Sequence, residues 1–207
     1  MLLANRLQQI KPSATLAVAA KAAALKAAGH DVIGLGTGEP DFPTPQTACN
    51  AAVEAMQTGQ TKYTAVDGTA ELKQAIIGKF KRDNSLLFDP SEIIVSTGAK
   101  QCLFNMLLAM INPGDEVLIP TPSWVSYPDM VRLAGGVPIK VLASNQQNFK
   151  ISAEQLDKAI TPKTRLLMLN SPSNPTGMAY SKTEYQQLAE VLEQHPDVVI
   201  SLSLIHI

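Results

Sequence analysis

From residue 92 onward the chain repeats one pattern. Short runs rich in apolar residues fall at 93–95, 117–119, 137–141, 166–169 and 198–200. Between them lie longer stretches whose apolar residues recur every three or four positions. One begins near Ala99, with Cys102, Leu103, Met106, Leu107 and Met110 on a single face. Others cover 123–134, 152–160 and 181–193. The runs are too short for helices and are bounded by turn formers such as Asn112-Pro-Gly114, so they predict strands; the periodic stretches predict amphipathic helices. Apolar strands alternating with helices predict a mostly parallel sheet covered on both faces, a three-layer α/β/α fold with right-handed crossovers. In such folds chemistry gathers beyond the carboxyl ends of the strands. Gly98, Thr121, Trp124 and Asn174 all follow such ends.

The first ninety residues follow a different pattern. An alanine-rich run from Pro12 to Ala28 closes at Gly29, which predicts a helix with proline at its start and glycine past its end. A short strand is predicted at 32–33. Twelve residues rich in turn formers follow, from Gly34 to Pro45. A helix capped by Thr44 runs from Pro45 to Gly59, and residues 60–68 form an irregular loop carrying Tyr63. Thr69 caps a further helix reaching Arg82, with Leu72, Ala75, Ile76 and Phe80 turned inward.

Composition narrows the function classes. The 207 residues are 45% hydrophobic and 17% charged, with net charge −1. That balance gives no electrostatic case for nucleic acid or an anionic membrane. No apolar run reaches membrane length, and Leu2-Leu-Ala4 is too short for a signal segment. Cys49 and Cys102 lie among alanines and leucines and read as small buried hydrophobes, consistent with a reducing cytoplasm. His30, His195 and His206 show no ligand spacing, so no metal site is expected. No Gly-x-Ser-x-Gly or Ser-His-Asp arrangement can be assembled.

Four stretches could carry chemistry. Ser96-Thr-Gly-Ala-Lys100 joins a strand to a helix, and the N–H groups of Gly98, Ala99 and Lys100 could hold a single phosphate or serve only as a helix start. It is not a Walker loop, and Gly34-Leu-Gly-Thr-Gly-Glu39 lacks the third glycine of a dinucleotide fingerprint. Trp124, the only tryptophan, could stack on a planar cofactor or fill the core. Tyr63 could reach a phosphate or another subunit, or stand at the surface. In Leu169-Asn-Ser-Pro-Ser-Asn-Pro-Thr-Gly-Met178, Pro172 and Pro175 restrict the backbone around Asn174.

Taken together the segments resemble a known family. Lys11-Pro-Ser-Ala-Thr15, Gly38-Glu-Pro-Asp-Phe42, Thr61-Lys-Tyr63, Gly98-Ala-Lys-Gln101, Asn112-Pro-Gly-Asp-Glu-Val117, Trp124-Val-Ser-Tyr-Pro128, Gly135-Gly136 and Asn170-Ser-Pro-Ser-Asn-Pro-Thr-Gly177 occur in order across residues 11–200. In that order and spacing they resemble the class I, fold-type I aminotransferases that use pyridoxal 5′-phosphate (PLP), in the bacterial aspartate aminotransferase branch. The resemblance implies transfer of an amino group between an amino acid, aspartate first, and a 2-oxo acid. It implies that Gly98, Ala99 and Lys100 hold the cofactor phosphate, that Trp124 stacks on the ring and that Asn174 donates to its phenolic oxygen. Tyr63 is implied to reach the phosphate across a homodimer interface. Gly38, Ser13, Thr15 and Lys100 are implied substrate contacts, with Trp124 and Asn174 also bordering the substrate.

The same family needs an imine-forming lysine, an aspartate for the ring nitrogen and an arginine for the substrate carboxylate. These are expected beyond the strand at 198–200. There the chain reads Ser201-Leu-Ser-Leu-Ile-His-Ile207, which does not match the family. Residues 202–207 are what ctg-tct-ctt-ata-cac-atc encodes, the transposase end of sequencing-library adapters. The expectation is therefore an N-terminal half: residues 1–40 contributing to a small domain, 41–200 an incomplete PLP-binding large domain, and 201–207 a non-native tail. No catalytic residue is assigned, and the polypeptide alone is expected to be inactive. The alternative is a non-catalytic partial domain that binds a partner or is unstable.

Overall fold

A computed structural model describes residues 3–10, 12–36, 38 and 42–203. Its centre is a four-stranded parallel sheet. The strands are β1 (Glu116–Thr121), β2 (Val137–Leu142), β3 (Thr164–Asn170) and β4 (Val199–Ser203), in the order β2-β1-β3-β4. Pairing sets Leu118 beside Ile139 and Leu167, and Leu167 in turn beside Ile200. The strands are separated by helices because parallel neighbours cannot be joined by a hairpin.

Among the described residues seven α-helices accompany the sheet: α1 (Ala14–Ala27), α2 (Gln46–Gln57), α3 (Ala70–Asn84), α4 (Ala99–Met110), α5 (Ser126–Leu133), α6 (Ala153–Ala159) and α7 (Lys182–Leu192). Side chains alternate across a strand, and the core divides accordingly. Val117, Ile119, Leu166 and Met168 pack with Leu107 of α4 and Tyr127, Met130 and Val131 of α5. Leu118, Leu167 and Leu169 face the other way, onto Leu156 of α6 and Leu188 of α7. This is the three-layer α/β/α arrangement that the alternating pattern predicts.

Local signals explain the helix ends. Ser13 Oγ accepts from Leu16 N–H and Thr69 Oγ1 from Leu72 N–H, while Ser152 and Ser181 form reciprocal capping boxes with Gln155 and Glu184. Each satisfies donors that a helix start leaves unpaired. Gly29 and Gly59, both at positive φ, follow the ends of α1 and α2, as a helix C-terminus favours.

Other expectations need correction. Residues 32–33 and 93–95 pair with no strand among the described residues; Val95 N–H donates instead to the Asp67 carbonyl. A β-rich composition marks a segment that can pair, but pairing needs a partner alongside. Pro45, not Thr44, caps α2, and the Thr44 carbonyl accepts from Cys49 Sγ. In α3, Leu72 and Ala75 are exposed, and the buried residue is Lys73, paired with Asp67. Cys102 is exposed and Cys49 half-buried, so neither is the buried hydrophobe expected. Residues 201–203, the start of the stretch expected to be non-native, extend β4 and pair with residues 168–170. Residues 204–207, Lys11, Thr37 and 39–41 lie outside the described residues.

Candidate functional site

The chain leaves β1 to form β2 on one side and crosses to form β3 on the other. The sheet order therefore reverses between β1 and β3, and a crevice opens beyond their carboxyl ends. A cavity there is lined by Pro120, Ser123, Tyr127, Asn170, Ser173 and Tyr180, among others.

A continuous series of contacts runs across this edge. Lys100 Nζ lies 4.7 Å from the centroid of the Trp124 ring. Trp124 meets Tyr127 edge to face, with centroids 5.5 Å apart. Burial pushes the pKa of the Tyr127 hydroxyl up, and its interaction with the nearby Ser203 side chain opposes that shift. The Ser203 carbonyl accepts from Asn170 Nδ2 at 2.9 Å, and Asn170 Oδ1 accepts from Asn174 N–H at 2.7 Å. Lys100, Trp124 and Asn174, far apart in sequence, are thus linked across one face of the sheet edge.

The helix start beside Lys100 is open. Gly98 caps α4 at φ 81°, a conformation that favours glycine. A side chain built there would meet nothing within 4 Å. Thr97 N–H is taken by Gln101 Oε1 and Gly98 N–H by the Ser96 carbonyl, whereas Ala99 and Lys100 N–H donate to nothing outside their helix. Two backbone donors and the positive end of the helix dipole therefore face open space, a geometry suited to an anion.

The other expected residues stand apart. Tyr63 is fully exposed, and Gly38 is exposed with open space around it. Ser13 caps α1 and Thr15 is half-buried in it. Among the described residues no hydrogen bond or ring contact joins these four to the Lys100–Asn174 series. No cluster of metal-ligating side chains occurs among the described residues, and none of their helices is long and apolar enough to cross a membrane.

Several supporting residues escaped the sequence reading. Tyr127 follows Trp124 by three positions, the spacing of neighbours on a helix, which is a usable signal. Asn170 and Ser171 carry a weaker one: polar residues directly after an apolar strand. Tyr180 gave none. Its phenol accepts Ile151 N–H at 2.9 Å, and burial pushes its pKa up to about 12. Beside it, Lys150 bonds Glu184 at 2.5 Å and the Ala179 carbonyl at 3.4 Å.

Comparison with known proteins identifies this architecture. The family model for aminotransferases of class I and II matches residues 30–205. The chain belongs to that family. This aminotransferase chain is 59% identical over 97% of its length to the aspartate/prephenate aminotransferase of Nitrosomonas europaea, covering 51% of that protein. It is 54% identical to the aspartate aminotransferase of Bacillus sp. YM-2, again over 97% of the chain and 51% of the relative. Among solved structures, Rhizobium meliloti aspartate aminotransferase superposes with TM-score 0.94 at 50% identity, over 98% of this chain and 51% of the other. The Thermus thermophilus enzyme, solved with maleate, gives TM-score 0.95 at 45% identity, over all of this chain and 54% of its own. The aminotransferase chain therefore spans about half the length of these relatives.

Proposed function

We propose that residues 1–200 form the N-terminal half of a PLP-dependent aminotransferase that exchanges an amino group between aspartate and a 2-oxo acid, with 201–207 a non-native tail. The carrying observation is the open Gly98 helix start set beside the Lys100–Trp124–Asn174 series at the strand ends. The relatives' names, aspartate and aspartate/prephenate aminotransferase, support the substrate class.

The residues present fit the cofactor. Ala99 and Lys100 N–H, with Gly98 leaving room for close approach, suit a phosphate monoester. Trp124 offers a flat ring, and Asn174 stands exposed on a loop pinned at its own backbone. When bound, PLP supplies the electron sink for amino-group chemistry. The chain's own part is to bind and orient: Gly98, Ala99 and Lys100 at the phosphate, Trp124 against the ring, Asn174 at its edge oxygen. Gly38, Ser13, Thr15 and Lys100 are proposed substrate contacts, and exposed Tyr63 a contact to a second subunit in a cytoplasmic homodimer. Residues 1–40 belong in this reading to a small domain and 41–200 to the large one.

The 207-residue polypeptide alone is proposed to be inactive. Lys100 lies over Trp124 and Lys150 is engaged by Glu184, so neither is placed as a free buried amine. The test joins residues 1–200 to the C-terminal half of the Nitrosomonas relative and assays aspartate with 2-oxoglutarate. Turnover by the joined protein and none by the 207-residue chain is the expected result. An inert but folded joined protein, or turnover by the short chain, would overturn the proposal.

A further inference from the structure

The loop between β3 and α7 has few ways to hold its shape. Two of its residues, Pro172 and Pro175, have no N–H to donate. Within the loop, Ser173 N–H donates to the Met178 carbonyl at 2.9 Å and Gly177 N–H to the Ser173 carbonyl at 2.7 Å. These bonds shape the loop but do not tie it to the sheet.

Two consecutive residues at the end of β3 supply the ties. Asn170 Oδ1 accepts Asn174 N–H at 2.7 Å, while its Nδ2 donates to the Ser203 carbonyl at 2.9 Å. Ser171, buried to 4% exposure, accepts Tyr180 N–H on its hydroxyl at 3.2 Å and donates its own N–H to the same Ser203 carbonyl at 3.2 Å. One side chain pins the middle of the loop and the next pins its far end. Both are anchored on one carbonyl of β4. Because that anchor is main chain, the identity of the side chain at 203 does not enter.

We infer that Asn170 is the positioning residue for Asn174: its carboxamide, oriented by the β4 carbonyl, fixes the loop backbone at the exposed Asn174. A carboxamide is suited to this because it offers an acceptor and a donor on one planar group. The inference rests on the proposed cofactor site only for its consequence; the positioning itself is a property of the loop.

The test is residue-resolved amide hydrogen exchange of the 207-residue chain without added cofactor, comparing Asn170→Ala, Asn170→Asp and Ser171→Ala. Loss of one such bond corresponds to about fivefold to tenfold faster exchange. Asn174 N–H is expected to speed up by that much in N170A, while Leu118 and Leu167 in the sheet stay unchanged. N170D keeps an acceptor oxygen but loses the donor that orients it on the Ser203 carbonyl, and is expected to leave Asn174 N–H exchanging faster, as N170A does. S171A is expected to act at Tyr180 and to leave Asn174 alone. Unchanged Asn174 exchange in N170A, or full protection of Asn174 in N170D, while the sheet amides stay protected, would overturn the inference. If N170A unfolds, the contrast between N170D and S171A at Asn174 and Tyr180 still decides it. No cofactor is present, so the result does not depend on the PLP proposal, whose own failure would appear as an inert joined enzyme.

Discussion

Helices α1 and α2 bury no residue fully, whereas β1 and β3 bury Val117, Leu118, Ile119 and residues 166–169. Both regions hold regular structure, but different forces hold it. In α1 the alanine run, the Ser13 cap and the glycine after the last turn suffice to define a helix. Leu16 and Val18 nevertheless stand in solvent, as do Ile33 and Leu35. In the sheet, β1 and β3 are defined by neighbouring strands and by helices on both faces. Local preference can specify an element; only burial on two sides makes it costly to disturb.

Replacing a sheet residue should therefore have the largest effect. Leu167 is fully buried between β1 and β4 and packs toward α6 and α7. Leu167→Ala should lower stability by about 2–5 kcal/mol, seen as an earlier denaturant midpoint, because the cavity adds to the lost transfer energy. A loss below about 1 kcal/mol would mean that the sheet core is loose and the contrast with α1 false.

An intermediate effect is expected at the rim of the sheet. Lys150 and the Ser181 N–H hold the Glu184 pKa down to about 2 from an ordinary 4.5. A folded pKa below the unfolded one means that the ionised pair adds stability above about pH 4.5, and that this is lost as pH falls through about 2. Glu184 is about a third exposed, so solvent screening reduces the contribution to about 1 kcal/mol. Glu184→Gln should therefore be less stable than the parent at pH 7, with the two denaturation midpoints converging between pH 4.5 and 2. A difference that persists unchanged at pH 2 would assign the effect to packing.

The smallest effect is expected at Leu16, 69% exposed on α1. Leu16→Ala should change stability by less than about 0.5 kcal/mol in the 207-residue chain. A loss comparable to that of Leu167→Ala would show that α1 is covered in solution and would remove the contrast between the two regions.

The elements were legible to different degrees, for physical reasons. Thr69, Ser13 and Gly59 act within one or two helical turns, so their roles can be read from the neighbouring residues. The apolar runs at 117–119 and 166–169 are strands because both faces of the sheet are buried. The run at 93–95 has the same composition yet lies beside no strand among the described residues, and composition alone does not supply a partner. Cys102 falls on the apolar stripe of α4 but toward its uncovered part. Gly98, Trp124 and Asn174 could be singled out because each follows a strand end. Asn170 could not, because its role depends on a carbonyl of β4, thirty-three residues away.

The sequence by itself determined the alternation of strands and helices, most of the caps and the family, since all are carried by short-range patterns in fixed order. Only the tertiary structure decided which strands pair, that the order reverses between β1 and β3, and that Lys100, Trp124, Tyr127, Asn170 and Asn174 meet along one edge. Such contacts join residues distant in the chain, and hydrophobic burial sets their register without leaving a local mark on the residues that benefit.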